Sequence, residues 1–163
     1  MGWVTASSEP DGEAITPEGL EALKTELFQL ESEARREIAQ RILVARGHGD
    51  LKENAEYHAA KEDQAHLETR IKRLRQRLRN AVVVETEHDS EIFSFGRTAD
   101  VADEDTGEVQ TWTIVGPTEA DRAAGKLSAE SPVARALLNR APGELIEVPT
   151  PRGKRRLRIQ RLH

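Results

Sequence analysis

A chain of 163 residues sets one compact domain or two small ones as the expectation. Charged residues make up 33% and aromatics 4%, which describes a solvated, thinly cored chain nearer a coiled coil than an enzyme with a deep pocket. The net charge of -5 argues against a protein that grips naked nucleic acid by charge alone, though not against a partner that already holds nucleic acid.

The chain has no cysteine, so disulfide and thiol chemistry are absent and a reducing cytoplasm is the expected setting. No apolar run nears the roughly 18 residues of a membrane span, and the start lacks the apolar stretch of a signal peptide. Residues 1–14, with Ser7, Ser8, Pro10 and Gly12 among acids, have nothing to bury and are expected to be disordered. Ile15-Thr16-Pro17-Glu18 then predicts a helix start. Thr16 can accept a hydrogen bond from a free first-turn amide, and Pro17 loses nothing at a position whose N–H has no partner.

From there Leu20, Leu23, Leu27, Leu30, Ala34, Ile38, Ile42 and Ala45 form an apolar stripe. Its early spacing alternates three and four, then relaxes to steps of four. A second stripe runs Ala60, Gln64, Leu67, Ile71, Leu74 and Leu78, with basic outer faces from Arg70 to Arg79. Neither stripe can be buried by its own helix, so the two are expected to zip into an antiparallel hairpin over residues 15–81, turning at 46–57. From periodicity alone, a plain spacer or oligomerisation arm explains the pattern equally well.

Residues 82–163 change period. Val82 to Val84 leads away in extended form, and the acidic stretch 85–91 has the composition of a linker. Phe93 and Phe95, then Ala99 and Val101, predict short strands before a turn at Asp105-Thr106-Gly107. Val109 to Val115 alternates, with Trp112 and Ile114 on one face. A short helix starts at Ser131-Pro132, and two last strands, 144–148 and 155–162, flank a turn at 151–154. The second half is therefore a small sheet packed by one helix, giving an α+β chain.

The histidines show no structural-zinc spacing, and no serine sits in a nucleophile elbow. The carboxylates at the turn are of more interest. Asp50 and Glu53 are three residues apart at a helix start, where the positive end of the helix dipole favours negative charge. Two carboxylates cannot cage Mg²⁺, which keeps its waters and is held by one or two carboxylates together with phosphates or other ligands. The pair fits a donor of metal ligands to another protein's site. On local chemistry alone, a plain helix cap at Asp50 is the favoured reading.

The run Ala45-Arg46-Gly47-His48-Gly49-Asp50-Leu51-Lys52-Glu53-Asn54-Ala55-Glu56-Tyr57-His58-Ala59-Ala60-Lys61 resembles the tip motif of the bacterial Gre transcript cleavage factors. The likeness resumes at Ile114-Val115-Gly116-Pro117, Glu119-Ala120-Asp121 and Ser131 to Leu137. It implies an N-terminal antiparallel coiled coil followed by a domain similar to FKBP-type prolyl isomerases but without that activity. It further implies a cytoplasmic monomer that enters the secondary channel of bacterial RNA polymerase and meets the nascent RNA 3′ end there. On this resemblance Asp50 and Glu53 help hold a Mg²⁺ in the polymerase's own site, so the chain is an accessory factor and carries no metal alone. Arg46 and Lys61 match basic positions near the RNA, Lys52 between the two acids can either bind phosphate or hold them apart, and Ser131, Pro132 and Arg135 lie in the region that docks on the channel rim.

Two features depart from the family pattern: residues 1–14 extend the start, and the stretch 151–156 is more basic than usual. A solvated strand face balancing the acidic linker is the expectation for the second. Two alternatives stay open: a channel-binding inhibitor that does not stimulate cleavage, and a coiled-coil scaffold or chaperone needing no polymerase.

Overall fold

The computed structural model describes residues 12–163. The chain divides into two compact units: residues 20–80, and a second that joins the segment ending at Gly19 to residues 81–163.

The first unit is a helical hairpin. Helix α1 (Pro17–Gln29) passes through a π turn (Leu30–Ala34) into α2 (Arg35–Arg46), and α3 (Ala55–Asn80) returns. Thr16 caps α1 as its sequence predicts, its hydroxyl accepting the Gly19 amide at 3.0 Å. The two stripes form the seam: Leu23, Leu27, Ile42, Ala45, Ala60, Leu67, Ile71 and Leu74 are all buried. Cross-hairpin ion pairs run Arg41–Asp63 and Arg35–Glu68, both at 2.9 Å, in the order an antiparallel pair requires. Arg70–Glu26 and Arg75–Glu31 tie α3 to the other arm. Side chains this exposed contribute little stability each, and the seam carries the hairpin.

The π turn has a cause in the spacing. The stripe on α3 keeps a strict alternation of four and three, whereas the other arm has one residue too many around Ala34. A turn of π-helix takes up one extra residue without breaking the helix. The Arg35 amide accordingly reaches the Leu30 carbonyl, five residues back, and Gln29 and Ala34 keep helical dihedrals on either side.

In the second unit, β1 (Glu13–Ile15) pairs in parallel with β2 (Ala81–Val83). Glu13 and Ala14 are thus ordered in a strand, where the composition predicted disorder; the rest of that expectation, residues 1–11, lies outside the described residues. A five-stranded sheet follows, of β3 (Thr98–Asp103), β4 (Val109–Val115), β5 (Lys126–Ser128), β6 (Leu145–Thr150) and β7 (Gly153–Leu162). Its order is β5-β4-β3-β7-β6, antiparallel except for β4 with β5. Helix α4 (Pro132–Leu137) sets Ala134 and Leu137, both fully buried, into the same core as Phe93, Trp112, Ile114, Val148, Leu157 and Ile159.

Two sequence expectations need correcting here, and one strand went unread. Phe93 and Phe95 belong to no strand. Phe93 instead exchanges backbone hydrogen bonds with Asn139 and Arg140, just beyond α4, and drops its ring into the core. Strand β5 lies in a stretch whose polarity hid it, with Leu127 its one buried residue. The basic end of the chain does not balance the stretch 85–91. Arg155, Arg156 and Arg158 pair with Asp103, Asp105 and Glu104 at the β3–β4 turn, and Lys154 pairs with Glu147.

The acidic stretch 85–91 is irregular but anchored at both ends. The Val84 amide donates to the Ile15 carbonyl, and the buried Arg97 guanidinium donates to the carbonyls of Ser90 and Ile92. No helix is long and apolar enough to cross a membrane among the described residues.

Candidate functional site at the hairpin tip

The α2–α3 turn is built by backbone rules. Amides of Gly47, His48 and Gly49 donate three residues back onto the last carbonyls of α2, and Gly49 takes a φ of +104°, open to glycine at little cost. The chain then loops through Asp50 to Glu53 and enters α3. The cap of α3 is Asn54, whose Oδ1 accepts the Tyr57 amide at 3.0 Å. Asp50 is therefore not the helix cap that its position allowed. Its Oδ1 accepts the Lys52 amide at 3.0 Å, a local turn that leaves Oδ2 without a partner among the described residues. The signal for the true cap was present in the sequence, since Asn ranks with Asp and Ser at that position.

Asp50 and Glu53 are both exposed, and both lie outside the helices, on the loop. Around them the loop is held by side chains that composition did not single out. Asn54 Nδ2 donates to the Ala45 carbonyl at 2.6 Å, joining the start of α3 to the end of α2. The His58 ring Nε2 lies 3.2 Å from the Lys52 carbonyl, and His48 Nε2 lies 3.4 Å from Glu56 Oε2. Arg46 ends α2 and is exposed. Lys52 is exposed on the loop, and Lys61 points its ammonium at Gln64, 3.1 Å away on α3. Positive side chains thus stand on the loop and on both helices of the hairpin's far end.

Among the described residues no three His, Cys, Asp or Glu side chains gather as a metal cage would. Asp50 and Glu53 are two donors at most, and Mg²⁺ takes only one or two carboxylates when phosphates or another site complete its shell.

In the other unit, α4 begins at Ser131, whose hydroxyl accepts the Ala134 amide at 3.2 Å and donates to the Ser128 carbonyl at 2.8 Å. Pro132 and Arg135 are exposed beside it.

Residues 13–83 match the family described as transcription elongation factor, N-terminal, and residues 88–163 match transcription elongation factor, GreA/GreB, C-term. The chain belongs to the GreA/GreB family. Two relatives within it are both transcription elongation factor GreA. That of Jannaschia sp. (strain CCS1) is 46% identical over 91% of this chain and 95% of its own. That of Geobacillus kaustophilus (strain HTA426) is 43% identical over 89% and 92%. A solved structure, GreA factor homolog 1 of Thermus thermophilus, is 29% identical, covers 92% of this chain and 97% of that one, and superposes with a TM-score of 0.41. As a GreA/GreB family member the chain is a transcription elongation factor, and its tip loop and its α4 start fall in separate family regions.

Proposed function

We propose that this chain stimulates RNA polymerase to cleave the backtracked 3′ end of its own transcript. In this reading the hairpin enters the secondary channel, and the tip loop presents Asp50 and Glu53 to the polymerase's catalytic centre. The observation that carries it is the exposed acidic pair on a loop closing two long helices. A rigid α3 of 26 residues is about 39 Å long at 1.5 Å per residue, enough to carry the pair deep into a partner.

Asp50 through its Oδ2, and Glu53 through its carboxylate, would hold Mg²⁺ jointly with the polymerase. Held there, the ion would activate a water for attack on the RNA phosphodiester, while the polymerase's other metal would stabilise the leaving oxygen. Arg46, Lys52 and Lys61 offer the extruded RNA compensating positive charge; Lys61 acts as a point charge and does not fork a phosphate. Ser131 spends its hydroxyl on capping α4, so docking on the channel rim falls to the exposed Pro132 and Arg135. The protein works as a monomer in the cytoplasm and performs no reaction of its own.

Backtracked elongation complexes given the protein and Mg²⁺ should release short 3′ RNA fragments. Asp50→Asn and Glu53→Gln variants should bind the complex and leave the RNA intact. A double variant that cleaves as well as the parent overturns the ligand role. Slowed synthesis with no shortened RNA would make the protein a channel-binding inhibitor instead.

A further inference from the structure

Among the described residues Glu53 has no hydrogen-bond or ion-pair partner, yet both of its chain neighbours are anchored. On one side the Lys52 carbonyl meets His58 Nε2 at 3.2 Å. A carbonyl oxygen can only accept, so that ring nitrogen carries the proton. The His58 ring is braced in turn by Tyr57, edge-on with centroids 5.6 Å apart. On the other side Asn54 uses its two amide atoms for different jobs: Oδ1 caps α3 and Nδ2 crosses to the Ala45 carbonyl at 2.6 Å. Ala45 is a buried seam residue, so the crossing bond ties the loop to the rigid part of the hairpin. Asp50 is fixed through the same segment, by the Lys52 amide.

We infer that Asn54 and His58 are positioning residues, a clasp that sets the loop backbone so that Asp50 and Glu53 arrive together. This rests on the cleavage reading above. Two lent carboxylates must meet an ion whose shell tolerates little distortion, and a displacement of about 1 Å costs up to about a hundredfold in rate. A loop free to move would still bring negative charge to the partner but would not present both oxygens at once.

The two bonds of Asn54 can be separated. Asn54→Asp keeps an acceptor for the Tyr57 amide and so keeps the cap, but it sets a carboxylate oxygen against the Ala45 carbonyl. His58→Leu removes the donor to Lys52, and His58→Gln restores an N–H. With backtracked complexes, Asn54→Asp and His58→Leu should lower the maximal cleavage rate by about tenfold. The Mg²⁺ concentration giving half-maximal cleavage should rise, and the factor concentration giving half-saturation should stay within about twofold, since the docking residues lie elsewhere. His58→Gln should recover most of the loss, which a merely structural role for the ring would not allow. Parental rates and parental Mg²⁺ dependence in both variants would overturn the clasp.

If the parent itself leaves the RNA intact, the cleavage reading fails and the clasp is judged by amide hydrogen exchange in the free protein. The Lys52 and Tyr57 region should then exchange about tenfold faster in His58→Leu than in the parent. Unchanged protection overturns the inference.

Discussion

Glu119 holds the first turn of α1 through Thr16. Its Oε2 accepts the Thr16 amide and the Gly116 amide, both at 3.0 Å, and its Oε1 accepts the Thr16 hydroxyl. That hydroxyl oxygen accepts the Gly19 amide in turn, so one carboxylate 103 residues away completes the helix cap. Thr16 and Gly116 are buried, and neither amide has water to turn to. Glu119→Ala should therefore lower stability by about 2–3 kcal/mol, the cost of stranding buried donors. Glu119→Gln, which keeps an oxygen but no charge, should lose about 1 kcal/mol. Urea unfolding followed by helical circular dichroism tests both, with midpoints falling and the slope unchanged. An unshifted midpoint for the alanine variant would show that the contact stabilises nothing.

The same contact inverts an ordinary helix rule. Gly19 sits in α1, where replacing glycine by alanine normally stabilises by about 1 kcal/mol. Here an added Cβ would meet Glu119 Oε1 at 2.0 Å. The carboxylate could swing aside only by giving up its bonds to Thr16 and Gly116. Gly19→Ala should thus destabilise this chain. In the Glu119→Ala background the same change should stabilise, and a double-mutant cycle reads the reversal directly. Additive effects of one sign would refute the packing argument.

These two residues also show where the sequence stopped being legible. The hairpin seam could be read because a buried stripe obeys a period, and from Leu23 to Leu74 the buried positions are those that the period names. The cap at Thr16 and Pro17, the alternation of Trp112 and Ile114, and the helix start at Ser131 follow from equally local rules. Glu119 follows none, because Thr16, the partner it caps, is 103 residues off and its type is that of any surface acid. Phe93 misled for a related reason. Its alternation with Phe95 imitates a strand, but the chain takes its hydrogen bonds from Asn139 and Arg140, which no local pattern connects to it. At the tip, the acids were visible as chemistry. Their clasp was not, because Asn54 and His58 gain meaning only when Ala45 and Lys52 are brought beside them.

Acid should loosen the sheet unit through Asp103. Amide hydrogen bonds from Asp105, then that from Thr106 and the Arg155 guanidinium, hold its carboxyl below the usual range against the opposing effect of burial. A lowered folded value means stability that is fully present above the unfolded value of about 3.9 and is lost as pH falls through the folded one. Asp100, through the Thr111 hydroxyl and then His163, and Glu68, through Arg35, shift the same way and lose stability in the same window. Asp103→Asn keeps an acceptor for both amides but no charge for Arg155. Its denaturation midpoint should lie below the parent's at pH 7, and the gap should close as pH drops below about 4. A gap that stays constant into acid would mean the carboxylate's charge contributes nothing.

The π turn makes a deletion harmless on one arm and harmful on the other. One residue is surplus to the seam near Ala34, and Glu33 is exposed within the turn. Deleting Glu33 should let Leu30 to Ala34 relax to plain α-helix while Ile38, Ile42 and Ala45 keep facing α3. Stability should then stay within about 1 kcal/mol of the parent or rise, since regular α-helical bonds replace the wide turn. Helix α3 has no residue to spare. Deleting the exposed Arg73 rotates everything after it by about 100° and takes Leu74, 1% exposed, off the seam. Losing that one burial costs about 2–5 kcal/mol. Thermal unfolding of the two deletion variants separates the arms: the Glu33 deletion should melt with the parent, and the Arg73 deletion well below it. Equal damage from both would show that the π turn is not where the extra residue is absorbed.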